Sequence, residues 1–210
     1  LGVIRMHACW FLLFFLVCLY SFADAADRTI SDAGGNWSEN ATWVEGSPPG
    51  SGDDVIATAT SGNVTIDGAA FCRSINLTNY TGTLTHNAGV TLSVGNNEAG
   101  TGVALTFVSA MTYTLGDSET SAISFISTSG TTHTVDFAAK TTGNITFNGA
   151  GTIWQMTGEH VMGSGATLTL TRGTLDTNGQ TMTWGLFRSQ DANARTLSFG
   201  SSQITVIGGG

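Results

Sequence analysis

Side chains able to do acid–base, nucleophilic or metal chemistry are few in this 210-residue chain, and they stand far apart. Asp53-Asp54 is the one adjacent acidic pair. Neighbours on an extended strand project to opposite faces, so these carboxylates cannot flank a single glycosidic bond. A calcium loop wants six to eight oxygens, and this segment offers only part of such a set. The pair therefore reads as a turn residue followed by entry into a strand. Lys140 is the sole lysine, and Arg73, Arg172, Arg188 and Arg195 are scattered with no carboxylate at a recognisable spacing. His86, His133 and His160 form neither His-x-x-x-His nor Glu-x-x-His, so zinc is not indicated and each reads as a surface or turn histidine. Cys72 has only Arg73 beside it to lower its pKa, and the expectation is a buried, inert thiol. No catalytic, cofactor-binding or metal-binding residue is nominated.

Two weaker signals concern binding. Outward aromatic rings can stack on sugar faces, and Tyr80, Tyr113 and Trp154 are the candidates for ligand contact. Trp184 shares a face with Met182 and reads as core. Thr-x-Thr recurs at Thr83/Thr85, Thr112/Thr114, Thr132/Thr134, Thr167/Thr169 and Thr181/Thr183. Stacked threonine ranks could order water, as in ice-binding solenoids. Outward Thr also simply suits an exposed β face, and the uneven coil lengths argue against flat ranks.

The elements that would hold these groups follow from composition and pattern. Charged residues are 10% of the chain against about a quarter in ordinary soluble domains, and 28 residues are Gly, which excludes a helical bundle. The formal net charge of −8 has the wrong sign for a phosphate backbone, so nucleic acid is not an expected partner. Ala8 to Ala23 is an unbroken apolar run behind Arg5, followed by Ala23-Asp24-Ala25. This reads as a secretory signal peptide over residues 1–25 with cleavage before Ala26. The run is shorter than the roughly 20 residues that span a bilayer, so no stable membrane span is expected in the mature chain. Cys9 and Cys18 leave with the leader, and Cys72 remains without an intrachain partner.

Beyond the leader, segments such as Val64-Thr65-Ile66, Thr91-Leu92-Ser93-Val94, Thr167-Leu168-Thr169-Leu170 and Ile204-Thr205-Val206 alternate apolar with Thr or Ser. Gly, Asn and Asp turns such as Asn148-Gly149, Asn178-Gly179 and Gly163-Ser164-Gly165 separate them at about ten-residue spacing. The fold class this predicts is all-β, a parallel, right-handed β-helix or solenoid whose coils bury a continuous core. A β-sandwich is the alternative, because the same turn spacing serves it.

Residues 26–62 read as an N-terminal cap and residues 63–210 as solenoid coils. The cap nominees are Trp37, Trp43, Pro48, Pro49, Asp53 and Asp54, since large rings can plug an apolar end and Pro denies it a donor. This W…TW..G..P…DDV pattern resembles the opening of extracellular bacterial or phage-borne parallel β-helix repeat proteins of adhesin or autotransporter-passenger type. The coils from Gly165 to Val206 resemble theirs as well. The resemblance implies a secreted or cell-surface structural and adhesive module, non-catalytic and without a cofactor, with extracellular polysaccharide or a host or cell surface as partner. Gly208-Gly209-Gly210 offers no closing cap, so further C-terminal coils are expected. The alternatives are a polysaccharide lyase or glycosidase whose active site lies outside these residues, and an ice-binding solenoid.

Overall fold

Strands of three to five residues with one apolar face gain little from a single partner. They become stable when other strands lie above and below, so that each apolar row continues into the next. The computed structural model describes residues 25–95 and 102–208 and is built in this way. Every pairing between its strands is parallel. A sandwich of antiparallel hairpins is thereby excluded, and the chain is a parallel β-helix. The leader read at residues 1–25 lies almost entirely outside the described residues, where no helix is long and apolar enough to cross a membrane.

Three faces make up the coil. The first stacks Asp27–Thr29, Asp54–Ile56, Ser74–Asn76, Val103–Thr106 and Thr132–Asp136. The second stacks Ala70–Cys72, Thr91–Val94 and Ala122–Phe125. Two long strands, Asn144–Met156 and Thr167–Asp176, then run through both faces, followed by Leu186–Arg188 on the second and Arg195–Ser198 on the first. On the third face stand Gly35–Asn36, Val64–Ile66, Thr83–His86 and Thr112–Leu115, then Thr141–Thr142, His160–Met162, Met182–Trp184 and Ile204–Val206.

Inward side chains form columns along the axis. Val55, Ile75, Leu105, Val135 and Met156 occupy one. Cys72, Val94, Phe125, Phe147 and Leu170 occupy another. All of these are at most 2% exposed. Phe125 and Phe147 lie face to face with centroids 4.9 Å apart, and Phe147 continues onto Trp154 at 5.2 Å. Truncating any of these rings would cost about 3–5 kcal/mol, because neighbours above and below hold the cavity open.

Numbering along a column advances unevenly, with a short step from Val55 to Ile75 and a long one from Ile75 to Leu105. The extra residues go into the turns. At one corner Asn76, Asp136 and Asp176 each accept the N–H two residues on, a side-chain turn that lets the chain leave the sheet in the same way on alternate coils. At another the backbones approach closely: a Cβ on Gly149 would lie 1.7 Å from the Ser127 carbonyl, and one on Gly173 2.3 Å from that of Gly149. Asn148-Gly149, read as a turn, therefore sits within the strand Asn144–Met156, which bends round the corner with a register shift.

The segment 26–62 contributes strands to the first coil and also covers its end. Asp27–Thr29 pairs with Asp54–Ile56 on one side. On its outer side the chain returns antiparallel, with a bridge between Ile30 and Trp43. Ser31 N–H donates to the Thr42 carbonyl at 2.9 Å, Val44 N–H to the Thr29 carbonyl at 2.9 Å, and Thr29 N–H to a Glu45 carboxylate oxygen at 2.8 Å. Trp43 and Trp37 meet edge to face at 5.0 Å, and the Trp43 indole N–H donates to the Trp37 carbonyl at 2.9 Å. Pro49 is buried and Pro48 half-buried beside them. Replacing Trp43 by Ala is expected to lower stability by about 3–5 kcal/mol and to free the outer edge of Asp27–Thr29. Chemical denaturation would read the first effect and a rise in thioflavin-T-positive aggregate the second; unchanged aggregation would show that the edge is guarded by something else.

Candidate functional site

With the apolar half of each strand turned inward, the outer half becomes rows of hydroxyls. On the third face Asn36, Thr65, Thr85 and Thr114 stand in one register, with Thr83 over Thr112 alongside. Further down the same face a separate ladder holds Thr141, Val161, Thr183 and Thr205 in one register. The second face carries Phe71, Ser93, Ser124, Thr146, Thr169 and Arg188 in register. Parallel strands repeat every ~4.8 Å across the sheet and alternate side chains every ~6.6 Å along it, so the hydroxyls define a two-dimensional lattice.

Uneven coils leave only part of this lattice unbroken, since the third face divides into two ladders after Thr112–Leu115. Insertions are absorbed at corners, and the strand registers on the second and third faces between Asn36 and Thr114 hold without a shift. The Thr-x-Thr pairs are nevertheless divided. Thr83/Thr85, Thr112/Thr114 and Thr181/Thr183 belong to the third face, Thr167/Thr169 to the second and Thr132/Thr134 to the first.

Burial corrects two of the three nominated sugar-contacting rings, and the third, Tyr113, is half-buried. Tyr80 and Trp154 are 0% exposed, so neither offers a ring face to an external ligand. Tyr80 Oη lies 2.9 Å from both the Gly62 and Thr83 carbonyls, and burial pushes its phenol up to about 12 against the opposing effect of a backbone hydrogen bond. Tyr113 packs on Phe107 with centroids 5.1 Å apart and points its hydroxyl at His86, and burial pushes its pKa up as well. Alternation put these rings on a strand or turn but could not say which side of the coil wall they occupy. Trp184 is core, as read. Exposed rings belong instead to Phe71, Phe187 and Phe199.

The histidines are also corrected: they are interior groups, not surface ones. His86 and His160 are at most 1% exposed and His133 is 5% exposed. His86 Nε2 lies 3.0 Å from the Val90 carbonyl, which can only accept, so Nε2 carries the proton and Nδ1 accepts from Tyr113 Oη at 2.8 Å. His160 stacks on Phe137 with centroids 4.3 Å apart and meets Thr142 Oγ1 at 2.9 Å. His133 Nε2 is ringed by the hydroxyls of Ser129, Thr131 and Ser127 at 2.7, 3.2 and 3.3 Å. Desolvation holds His86 down to about 4 and His160 to about 3, and lowers His133 too. Cys72 is fully buried, and desolvation, with the Asp54 charge, raises its thiol pKa, so it stays protonated and inert.

Asp53 stands just before the strand Asp54–Ile56, and Asp54 opens it next to the inward Val55. Asp53 takes Arg28 Nε at 3.0 Å and the Gly50 N–H at 2.9 Å. Asp54 is covered by Arg73, whose Nε lies 2.8 Å away and whose Nη2 makes a second contact, and by Ser74, whose Oγ lies at 2.6 Å. Burial opposes its ionisation, but the Arg73 and Ser74 hydrogen bonds and the Arg73 charge outweigh it and hold the carboxyl below the usual range. Asp53 thus braces the end-covering segment internally, and Asp54 ties it to the next coil. Among the described residues no group of three or more His, Cys, Asp or Glu side chains converges to hold a metal ion.

Two grooves open on the surface. One, of about 470 Å³, runs past Thr78, Asp136, Ala138, Ala139 and Glu159. Ala138 and Ala139 there have φ of 49° and 58°, left-handed conformations set by a turn in which Asp136 accepts the Ala138 N–H at 2.7 Å. The Asp136 carboxylate is thus committed to its own turn, with Gly158 of the next coil packed against it. The other groove, of about 230 Å³, lies between the end-covering segment and the Asp67–Phe71 turn. Sequence reasoning passed over Phe71; its signal was an aromatic ring between two inward positions, Ala70 and Cys72. Comparison with known proteins finds no matching family, no matching curated protein and no matching solved structure.

The buried imidazoles set a pH window. Each is neutral in the fold and titrates near 6.5 once unfolded, so its contribution is intact above that value. It falls away as the pH drops from about 6.5 toward 4, because only the unfolded chain takes up the proton. Each of His86 and His160 is expected to withdraw on the order of 3 kcal/mol or more over that interval. The loss from the Asp54 carboxyl comes below its ordinary value near 3.8. Melting temperatures should be level from pH 8 to 7 and fall between pH 6.5 and 4. His160→Phe, which preserves the stack on Phe137, should flatten that slope; an unchanged slope would show that His160 does not set it.

Proposed function

We propose that this chain is a non-catalytic secreted or cell-surface module whose hydroxyl-bearing faces hold to a repetitive extracellular surface, with neutral polysaccharide as the ligand. The observation that carries the reading is the in-register column Asn36, Thr65, Thr85 and Thr114, with Thr183 over Thr205 in a second ladder of the same face. A lattice of uncharged donors and acceptors matches a polymer that repeats, where a single small molecule would engage only one cell of it. The net charge of −8 disfavours acidic polymers. The apolar stretch Ala8 to Ala23 supports export, and the likeness of the Trp37 to Ile56 segment to adhesin-type β-helices supports a surface role.

A second reading is water ordering at an ice surface. It is favoured by one specific feature, the placement of Thr83/Thr85 directly over Thr112/Thr114.

The test is retention of the full chain on insoluble neutral polysaccharides such as cellulose, chitin and mannan. Retention is expected, with at least a tenfold loss in a Thr85→Lys/Thr114→Lys variant that keeps the inward residues. Absence of retention on every polymer would overturn the polysaccharide reading. Inhibition of ice recrystallisation by the same wild-type chain, abolished in the same variant, would establish the second reading in its place.

A further inference from the structure

The second-face rank runs Phe71, Ser93, Ser124, Thr146, Thr169 and Arg188, so the four steps that follow Phe71 carry hydroxyls. The fold has no use for a phenyl at that first step. Ala70 and Cys72 supply the buried contacts of the strand, while Phe71 is 46% exposed. A lone exposed ring needs no explanation, but this one forms the wall of a concavity. The groove of about 230 Å³ has Trp37, Pro48 and Pro49 on the side of the end-covering segment and Asp67 and Phe71 on the side of the first turn. Beside it an added Cβ on Gly68 would meet no heavy atom within 4 Å, so the approach is open.

Its polar end is preorganised. Asp67 Oδ1 accepts the Ser38 N–H at 3.0 Å and Oδ2 accepts Ser38 Oγ–H at 2.5 Å. Each oxygen keeps a further lone pair with which to accept from a ligand hydroxyl. Apolar walls and one anchored acceptor suit a ring that presents C–H groups on one side and hydroxyls at its rim. The carboxylate repels anionic sugars and phosphate, and no Lys or Arg lines the groove to offset it. A polyproline peptide docks on successive aromatic ridges, whereas here Trp37 is 4% exposed and Phe71 stands alone. The volume is below the roughly 300–1,000 Å³ of drug-sized sites, which leaves room for about one sugar ring.

We propose that this groove seats one neutral pyranose residue of a polysaccharide, its C–H face on Phe71 and Pro48 and a hydroxyl donated to Asp67. The proposal rests on the polysaccharide reading above and adds a discrete site to it. Isothermal titration of the full chain with cello-, chito-, manno- and malto-tetraose, and with a proline decapeptide, tests it. Saturable binding of at least one tetrasaccharide is expected. Phe71→Ser, which installs the hydroxyl the next four steps of the rank carry, should weaken it at least tenfold at unchanged melting temperature, and Phe71→Tyr should restore it. Thr85→Lys/Thr114→Lys should leave it unaltered. Equal affinity in Phe71→Ser, or binding of the peptide alone, would overturn the proposal. Wild-type retention on insoluble polymer without oligosaccharide binding would remove the groove and leave the surface reading standing; loss of both would remove both.

Discussion

Everything in this molecule depends on the parallel backbone ladder that seats each coil on the next. A strand such as Val64–Ile66 has two inward side chains and no hairpin partner. It persists because Gly35–Asn36 lies above it and Thr83–His86 below. Parallel pairing keeps equivalent residues over one another, so a short apolar alternation repeated along the chain becomes an axial column of Val, Ile, Leu and Phe. The same constraint orders the outside. Once the inner side chains are locked in register, the outer ones have no freedom to fall out of it, and Thr, Ser and Asn become a lattice without any interaction of their own to hold them there.

Such a ladder leaves open edges, and the molecule treats the first coil with care. Antiparallel return of Thr42 to Val44 across Asp27–Thr29 uses up the N–H and C=O groups that would otherwise accept a foreign strand. The ion pair of Arg28 with Asp53 braces this segment internally, and that of Arg73 with Asp54 fastens it to the coil beneath. Scarcity of charge elsewhere fits the architecture: a wall one strand thick has no interior in which to pair many charges. The histidines that do enter the core remain neutral, each satisfied by a carbonyl or hydroxyl. Among the last described strands Leu186, Phe187, Phe199, Val206 and Ile207 stay 37–54% exposed, since no described coil lies beyond them.

Much of the candidate site was legible, and the parts that were not share one cause. Thr85 and Thr114 could be read as outward from alternation alone. That they stand over one another could not, because nothing in the segment between them states how many residues its turns absorb. Tyr80 lies in a turn, where period-2 logic lapses, and it plugs the coil corner between Leu77 and Leu84. Strands such as Asp27–Thr29, Ala70–Cys72 and Leu186–Arg188 escaped notice because two or three residues carry almost no periodic signal. Pairing above and below makes them strands.

Local chemistry of the chain was enough to determine that it is all-β, that its strands have an apolar and a hydroxylic side, and that Trp37, Trp43 and the acidic pair belong to one terminal device. Those properties depend on side-chain type and the two-residue pleat, which are local. Tertiary structure decided between the expected parallel stack and the sandwich, and it alone decided that His86 and His160 go inside, that Trp154 offers no face to solvent, and that Phe71 stands across a groove from Pro48, Pro49 and Trp37. Each of these depends on which residue of one coil lies against which residue of the next. That match is settled by the length and shape of every corner between them, a non-local quantity that no stretch of strand encodes.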